Sequence, residues 1–162
     1  MKLRNMTSIY LLCGDEILLL YREGGRVASN SYISSAGGHM EQGEMNAPRE
    51  GMLRELREEL GLDESALKNL RLRYITQRLK AGEVRQIYYY FAEIEDKSLV
   101  SESTEGSLRW VKLGDACALP MPVTASRMLA HYIAEGRFTD CLYTGATTPE
   151  GMVFTVLEEF ED

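Results

Sequence analysis

The sequence predicts a mixed-sheet α/β (α+β) sandwich, α/β/α in layers, and three observations carry the prediction. Strand-type runs lead, a helix interrupts them, strands return, and a second helix precedes a closing hairpin, the order expected of a sheet covered by helices. Each helical stretch has one apolar stripe, so each needs a sheet face to cover it. The 162 residues are 44% hydrophobic and 27% charged, with four prolines and no low-complexity tract, so they read as one domain over 1–162. A chain of this length buries roughly 70% of its unfolded surface and needs no disulfide or metal staple to fold.

The elements follow in order. Residues 7–12 and 17–21 flank Gly14-Asp15 as a β-hairpin. A polar loop over 22–30 leads to a short extended piece at 32–34 and then to Gly37-Gly38. Met52, Leu53, Leu56 and Leu60 recur at helical spacing and form one buried stripe. Pro48 is tolerated only in a first turn, which makes Asn46 the expected N-cap of a helix starting near Ala47. Gly61 is its natural stop. Residues 70–79 and 84–94 read as strands joined at Ala81-Gly82, and 108–112 as another. A second helix over 124–135 carries Ala125, Met128, Leu129, Tyr132 and Ile133 on one face. Residues 141–143 and 152–157 close the chain as a hairpin. Alternation sends Tyr88 and Tyr90 to one face of their strand and Tyr89 to the other.

The bulk numbers narrow the function. A formal charge of −7 argues against binding nucleic-acid polymers through phosphate neutralisation, which needs a basic footprint. Cys13, Cys117 and Cys141 are odd in number and widely spaced, so they read as reduced thiols rather than a disulfide framework or a metal pair. The apolar runs at 9–13 and 17–21 are too short to span a bilayer. The opening residues do not make a secretory signal, because acidic Asp15-Glu16 follow the brief apolar stretch almost at once. These features place the chain in the cytoplasm and away from membranes.

The chemistry concentrates in residues 37–62, GGHMEQGEMNAPREGMLRELREELGL. Six of these residues are glutamates, in a chain already acid-heavy. At about 100° per residue, Glu55, Glu58 and Glu59 share one helix face while the leucines point elsewhere. A solvated salt-bridge ladder is the plain alternative, since Glu50–Arg54 and Arg54–Glu58 are i, i+4 pairs. Three clustered carboxylates are equally a ligand set for a hard cation such as Mg²⁺. The glycines just upstream favour the second reading, because they let a backbone approach closely.

Gly38, Glu44, Arg54-Glu55-Leu56, Glu58-Glu59 and Gly61-Leu62 resemble the Nudix box, G-x5-E-x7-R-E-U-x-E-E-x-G-U with U a bulky aliphatic. Every specified residue type is present; nine residues rather than seven separate Glu44 from Arg54. Two residues added inside the helix would rotate everything upstream by roughly 200°, so the insertion belongs in the loop before Pro48, where it costs only loop entropy. A second departure is Ala36, where many relatives have proline.

The resemblance implies a Nudix fold and a MutT-like pyrophosphohydrolase of nucleoside diphosphates linked to another moiety. The nearest expectation is an oxidised nucleoside triphosphate giving a monophosphate and pyrophosphate. ADP-ribose, other sugar nucleotides and dinucleoside polyphosphates are alternatives within the class; a non-catalytic ligand-sensing module and a prenyl-diphosphate isomerase lie outside it. The resemblance implies Mg²⁺ or Mn²⁺ held by Glu55, Glu58, Glu59 and the Gly37 carbonyl. It gives Arg54 the role of orienting a carboxylate and draws the general base from Glu55, Glu102 and Glu105. Gly38, His39, Arg22 and Tyr32, and less directly Arg85, are the expected substrate contacts. The implied partner is a small-molecule nucleotide, and the family pattern admits a homodimer to which the tail hairpin contributes.

Overall fold

The computed structural model describes residues 1–24 and 30–158; most of the polar loop expected at 22–30 lies outside the described residues. Nine strands form one sheet: β1 (Lys2–Cys13), β2 (Glu16–Arg22), β3 (Ser31–Ile33), β4 (Ala36–His39), β5 (Lys68–Lys80), β6 (Glu83–Glu93), β7 (Ser107–Lys112), β8 (Leu142–Thr148) and β9 (Gly151–Leu157). The backbone order is β3-β2-β1-β6-β5-β8-β9, with β4 paired to β1 and β7 paired to β2. The sheet is mixed: β1 runs parallel to β6 and β5 parallel to β8, while the other pairs are antiparallel.

Two helices cover the sheet, α1 (Pro48–Leu60) and α2 (Val123–Ala134). Strand alternation divides the core between them. Ile9, Leu11, Leu18, Tyr90 and Ala92 pack with Met52, Leu56 and Leu60 of α1. The residues between them, Tyr10, Ile17, Leu19, Tyr89 and Phe91, pack with Met128, Leu129 and Tyr132 of α2. The expected split of the three consecutive tyrosines is therefore observed, with Tyr88 and Tyr90 on the α1 side and Tyr89 on the α2 side.

The structure corrects several expectations. Ala47, not Asn46, is the N-cap of α1, and no side chain caps that end; Pro48 at the first helical position has no N–H to satisfy, which lowers the need for one. Leu53 is only partly buried, at the margin of the stripe formed by Met52, Leu56 and Leu60. Gly37-Gly38 do not form a loop. They lie in β4, whose residues Ala36–His39 pair antiparallel with Met6–Ile9 of β1. Four residues containing two glycines carry too weak a strand signal to read from sequence. The tail strands β8 and β9 are also longer than the apolar runs that mark them.

Candidate active site

Helix α1 lies over β4 and β1, and its register fixes the site. The ideal Cβ position of Gly38 falls 2.5 Å from Oε1 of Glu55, so only glycine leaves room for that carboxylate against β4. One turn further on, Glu59 Oε2 accepts a hydrogen bond from the Gly37 N–H at 3.0 Å. The motif glycines and glutamates are thus two sides of one contact between helix and strand.

Arg54 organises the remaining carboxylates. Its Nε and Nη2 donate to the two oxygens of Glu44 at 2.7 and 3.1 Å, a bidentate pair. Its Nη1 donates to Glu55 Oε1 at 2.9 Å and Glu58 Oε2 at 3.2 Å, and its Nη2 also reaches the His39 carbonyl at 3.1 Å. The Glu44 hydrogen bonds push the guanidinium pKa further up, and the same bonds hold Glu44 below the usual carboxylate range.

The insertion has not displaced Glu44. The helix runs unbroken from Pro48 to Leu60, and only residues 45–47 separate it from the turn that carries Glu44. Glu44 is anchored there by the Glu41 N–H, which donates to its Oε2 at 2.8 Å. A Cβ at Gly51 would come within 2.9 Å of the same oxygen. Gly51 therefore accepts the entropic cost of a mid-helix glycine and makes space for Glu44.

Glu59 carries the largest electrostatic strain in the site. Burial above all, with the charges of Glu55 and Glu105 and against the Gly37 N–H and Arg22, brings its pKa up to about 7. Glu105 reaches this neighbourhood from the loop before β7, paired with Arg22 at 2.7 Å. The structure therefore gathers Gly37, Gly38, Arg54, Glu55, Glu58, Glu59, Glu105 and Arg22 around one end of β4. His39 contributes its carbonyl, and its side chain is exposed.

Two expected substrate contacts lie elsewhere. Tyr32 is buried in the α2-side core and its hydroxyl accepts from Arg109 Nη1 at 2.6 Å. Arg85 pairs with Glu83. Sequence reasoning missed Gly51, whose role depends on a contact with Glu44 seven residues earlier, and missed a cleft of about 520 Å³ bounded by Leu18, Lys97, Ser101, Glu102, Gly106 and Trp110. Two backbone contacts tie that cleft to the elements that carry the site. Ser101 Oγ donates to the carbonyl of Leu60, next to Glu59, at 2.8 Å, and Gly106 lies against the backbone of Tyr21, next to Arg22.

The donor set has the chemistry of a hard-cation site. Glu55 is only 12% exposed and Glu58 59% exposed, so one carboxylate is fixed against the strand and the other is free to turn. Among the described residues no three acidic, imidazole or thiolate groups stand close enough together to hold a metal ion; Glu58 is instead turned onto Arg54. Oxygen donors near a protonation-prone Glu59 are what a divalent cation would relieve. The three cysteines are free thiols, and no described helix is long and apolar enough to cross a membrane.

Comparison with known proteins identifies the family and the fold. The NUDIX domain family model matches residues 2–132. Among solved structures, the chain resembles a MutT protein from Bacillus halodurans at 24% identity and TM-score 0.66, covering 96% of this chain and 95% of that one. It also resembles a MutT protein from Methanosarcina mazei Go1 at 17% identity and TM-score 0.67, covering 83% and 95%. An Ap4A hydrolase from C. elegans matches at 18% identity and TM-score 0.64, covering 81% and 96%. A comparison with curated protein sequences finds no significant match.

Proposed function

This chain belongs to the Nudix family of pyrophosphate-bond hydrolases, and from that premise we propose that it hydrolyses nucleoside triphosphates, an oxidised (d)GTP among them. Water adds to a phosphorus atom, the adjoining anhydride P–O bond breaks, and a nucleoside monophosphate and pyrophosphate leave. The observation that carries this reading is the Arg54 hub: one guanidinium fixes Glu44, Glu55 and Glu58 while Glu59 is held on the Gly37 N–H beside Glu55. A salt-bridge ladder on a solvated face would not need Gly38 and Gly51 to make room for two of its carboxylates.

Glu55, Glu58 and Glu59, with the Gly37 carbonyl, would hold Mg²⁺ or Mn²⁺, which supplies charge neutralisation on the diphosphate and a more acidic bound water. The chain's own residues do the rest. Arg54 holds Glu55 against β4. Arg22 and the strand backbone at Gly38 and His39 face the substrate phosphates. Glu105, on an exposed loop near Glu59, accepts the proton from the attacking water. The cleft walled by Trp110, Lys97 and Ser101 receives the rest of the nucleotide, whose size selects among triphosphates, sugar nucleotides and dinucleoside polyphosphates. Solvent in a cytoplasmic setting reaches this cleft directly, and a homodimer through the β8–β9 hairpin would leave it open.

A phosphate- and pyrophosphate-release screen over nucleoside triphosphates, ADP-ribose and dinucleoside polyphosphates tests the reading, run with and without Mg²⁺. Turnover that requires Mg²⁺ and is lost in Glu58→Gln is expected. Absence of turnover on every diphosphate-containing compound would leave a ligand-sensing module as the better description, and a variant that turns over like wild type would remove Glu58 from the catalytic site.

A further inference from the structure

The opposite face of the sheet holds a second polar cavity, of about 300 Å³, between the ends of β1, β5 and β6 and the turn after α2. Arg73 reaches it through an irregularity in β5. The pairing of β5 with β6 slips between Leu72 and Tyr74. Leu72 and Ile75 accordingly join the α1-side core, while Tyr74 joins the α2-side core. A bulge of this kind re-aims one side chain out of the strand's alternation, and the side chain re-aimed here is an arginine.

Arg73 is only 7% exposed, yet among the described residues no carboxylate meets it. Its Nη2 donates to the carbonyls of Gly136 and Thr139 at 2.5 and 2.7 Å, and its Nε to the carbonyl of Cys141 at 3.3 Å. No protein acceptor among the described residues takes a hydrogen bond from Nη1. Tyr132, 6% exposed, lies under the same guanidinium at 5.8 Å from its ring centre, and its hydroxyl likewise finds no described partner. Arg137, exposed on the turn after α2, lines the cavity from the other side. The acidic residues present are engaged: Asp140 with Arg71, and Glu93 with Asn69. Two cations and a phenol thus converge on one cavity with donors unspent. A buried guanidinium without a counter-ion is costly, and the group that would complete it is an anion with several acceptor oxygens.

We propose that this cavity binds a phosphoryl dianion, held by Arg73 Nη1, Arg137 and the Tyr132 hydroxyl, at a site separated by the sheet from the carboxylates of α1. Guanidinium forks match phosphate oxygens in geometry as well as charge. The proposal does not rest on the hydrolase reading, and either can fail alone. Bound phosphate would bridge β5 to the turn after α2, so the ligand stabilises the fold by mass action.

The test uses the full chain in chelator, so that no divalent metal carries phosphate to the acidic site. Inorganic phosphate and adenosine monophosphate are titrated separately by calorimetry and by thermal unfolding, against sodium chloride of matched ionic strength. Saturable binding by either probe is expected, free phosphate and a phosphomonoester being distinguished by which binds more tightly. Arg137→Ala, on an exposed side chain, should weaken it about tenfold, Tyr132→Phe by less, and Glu59→Gln should leave it unchanged. Equal stabilisation by chloride, full binding in Arg137→Ala, or loss in Glu59→Gln would overturn the site.

Discussion

The two faces of the sheet treat charge in opposite ways. On the α1 side one arginine is shared among three carboxylates, and a fourth, Glu59, is left with only a backbone N–H and a raised pKa. On the α2 side a buried arginine meets carbonyls and no described carboxylate. The first face carries surplus negative charge at a place where a strand and a helix touch; the second carries positive charge where a helix ends. The same scaffold therefore holds a cation-seeking region and an anion-seeking one, insulated by a sheet whose strands alternate between two apolar cores. The contrast teaches that an overall charge of −7 says little about either region.

The comparison breaks most easily at its two arginines. On the α1 side, Arg54→Lys keeps a positive charge but loses the fork that grips Glu44 while also reaching Glu55 and Glu58. The carboxylates stay paired in part, so the fold survives, but their positions loosen; a misplacement of about 1 Å costs on the order of 100-fold in rate. Steady-state kinetics should show the loss in kcat, with circular dichroism unchanged. On the α2 side, Arg73→Met removes donors from three carbonyls and should destabilise the chain by about 3 kcal/mol. Urea unfolding measures this, and kcat at 20 °C should stay within about twofold of wild type, since Arg73 lies across the sheet from the chemistry.

Glu59→Gln sharpens the contrast with effects of opposite sign on activity and stability. The folded pKa of about 7 lies above the ordinary 4.5, so between those values the folded chain binds more protons than the unfolded one. Stability then falls as pH rises through that window, and above pH 7 the ionised carboxylate costs the full amount. Discounted for its partial exposure, that is roughly 1–2 kcal/mol. In chelator at pH 8 the glutamine variant should therefore unfold at higher urea than wild type, with the difference vanishing near pH 4, while its Mg²⁺-dependent turnover falls. A variant no more stable than wild type at pH 8 would mean that Glu59 is not strained.

The two faces also differ in how far sequence reveals them. The α1 side was largely legible, because a helix fixes its own geometry: 100° per residue is enough to put Glu55, Glu58 and Glu59 on one face and Leu56 and Leu60 on another. The fold class followed from the same periodicities. What the sequence hid were contacts between elements. Gly37-Gly38 form a strand only because β1 offers them an edge, and Gly51 matters only because Glu44 folds back onto it. Tyr32, read as a substrate contact on a short extended piece, is a core residue. The α2-side cavity was invisible, since Arg73 sits within a strand whose alternation gives no hint of a bulge. Local periodicity is written in the chain, whereas register slips and distant close approaches are properties of pairing.

The smallest expected effect belongs to His131 of α2, whose ring packs against Tyr74, Tyr143 and Phe154. Its Nδ1 shares a hydrogen bond of 2.8 Å with the Tyr74 hydroxyl, and its ring stacks on Phe154 at 4.3 Å. Burial lowers its pKa below the ordinary 6.5, with Glu135 opposing the shift. Between the two values the unfolded chain binds the extra proton, so the contribution to stability is complete above pH 6.5 and is lost as pH falls through the folded value. Once Glu59→Gln has removed the opposing rise, a melting temperature that declines below pH 6.5 is expected. In His131→Gln the slope in that window should flatten, while the gain in Glu59→Gln, which arises on the other face between pH 4.5 and 7, should be unaffected. Where the windows overlap, the double variant separates them: additive changes mean that the sheet insulates the two faces, whereas coupling between residues on opposite sides would mean that it does not.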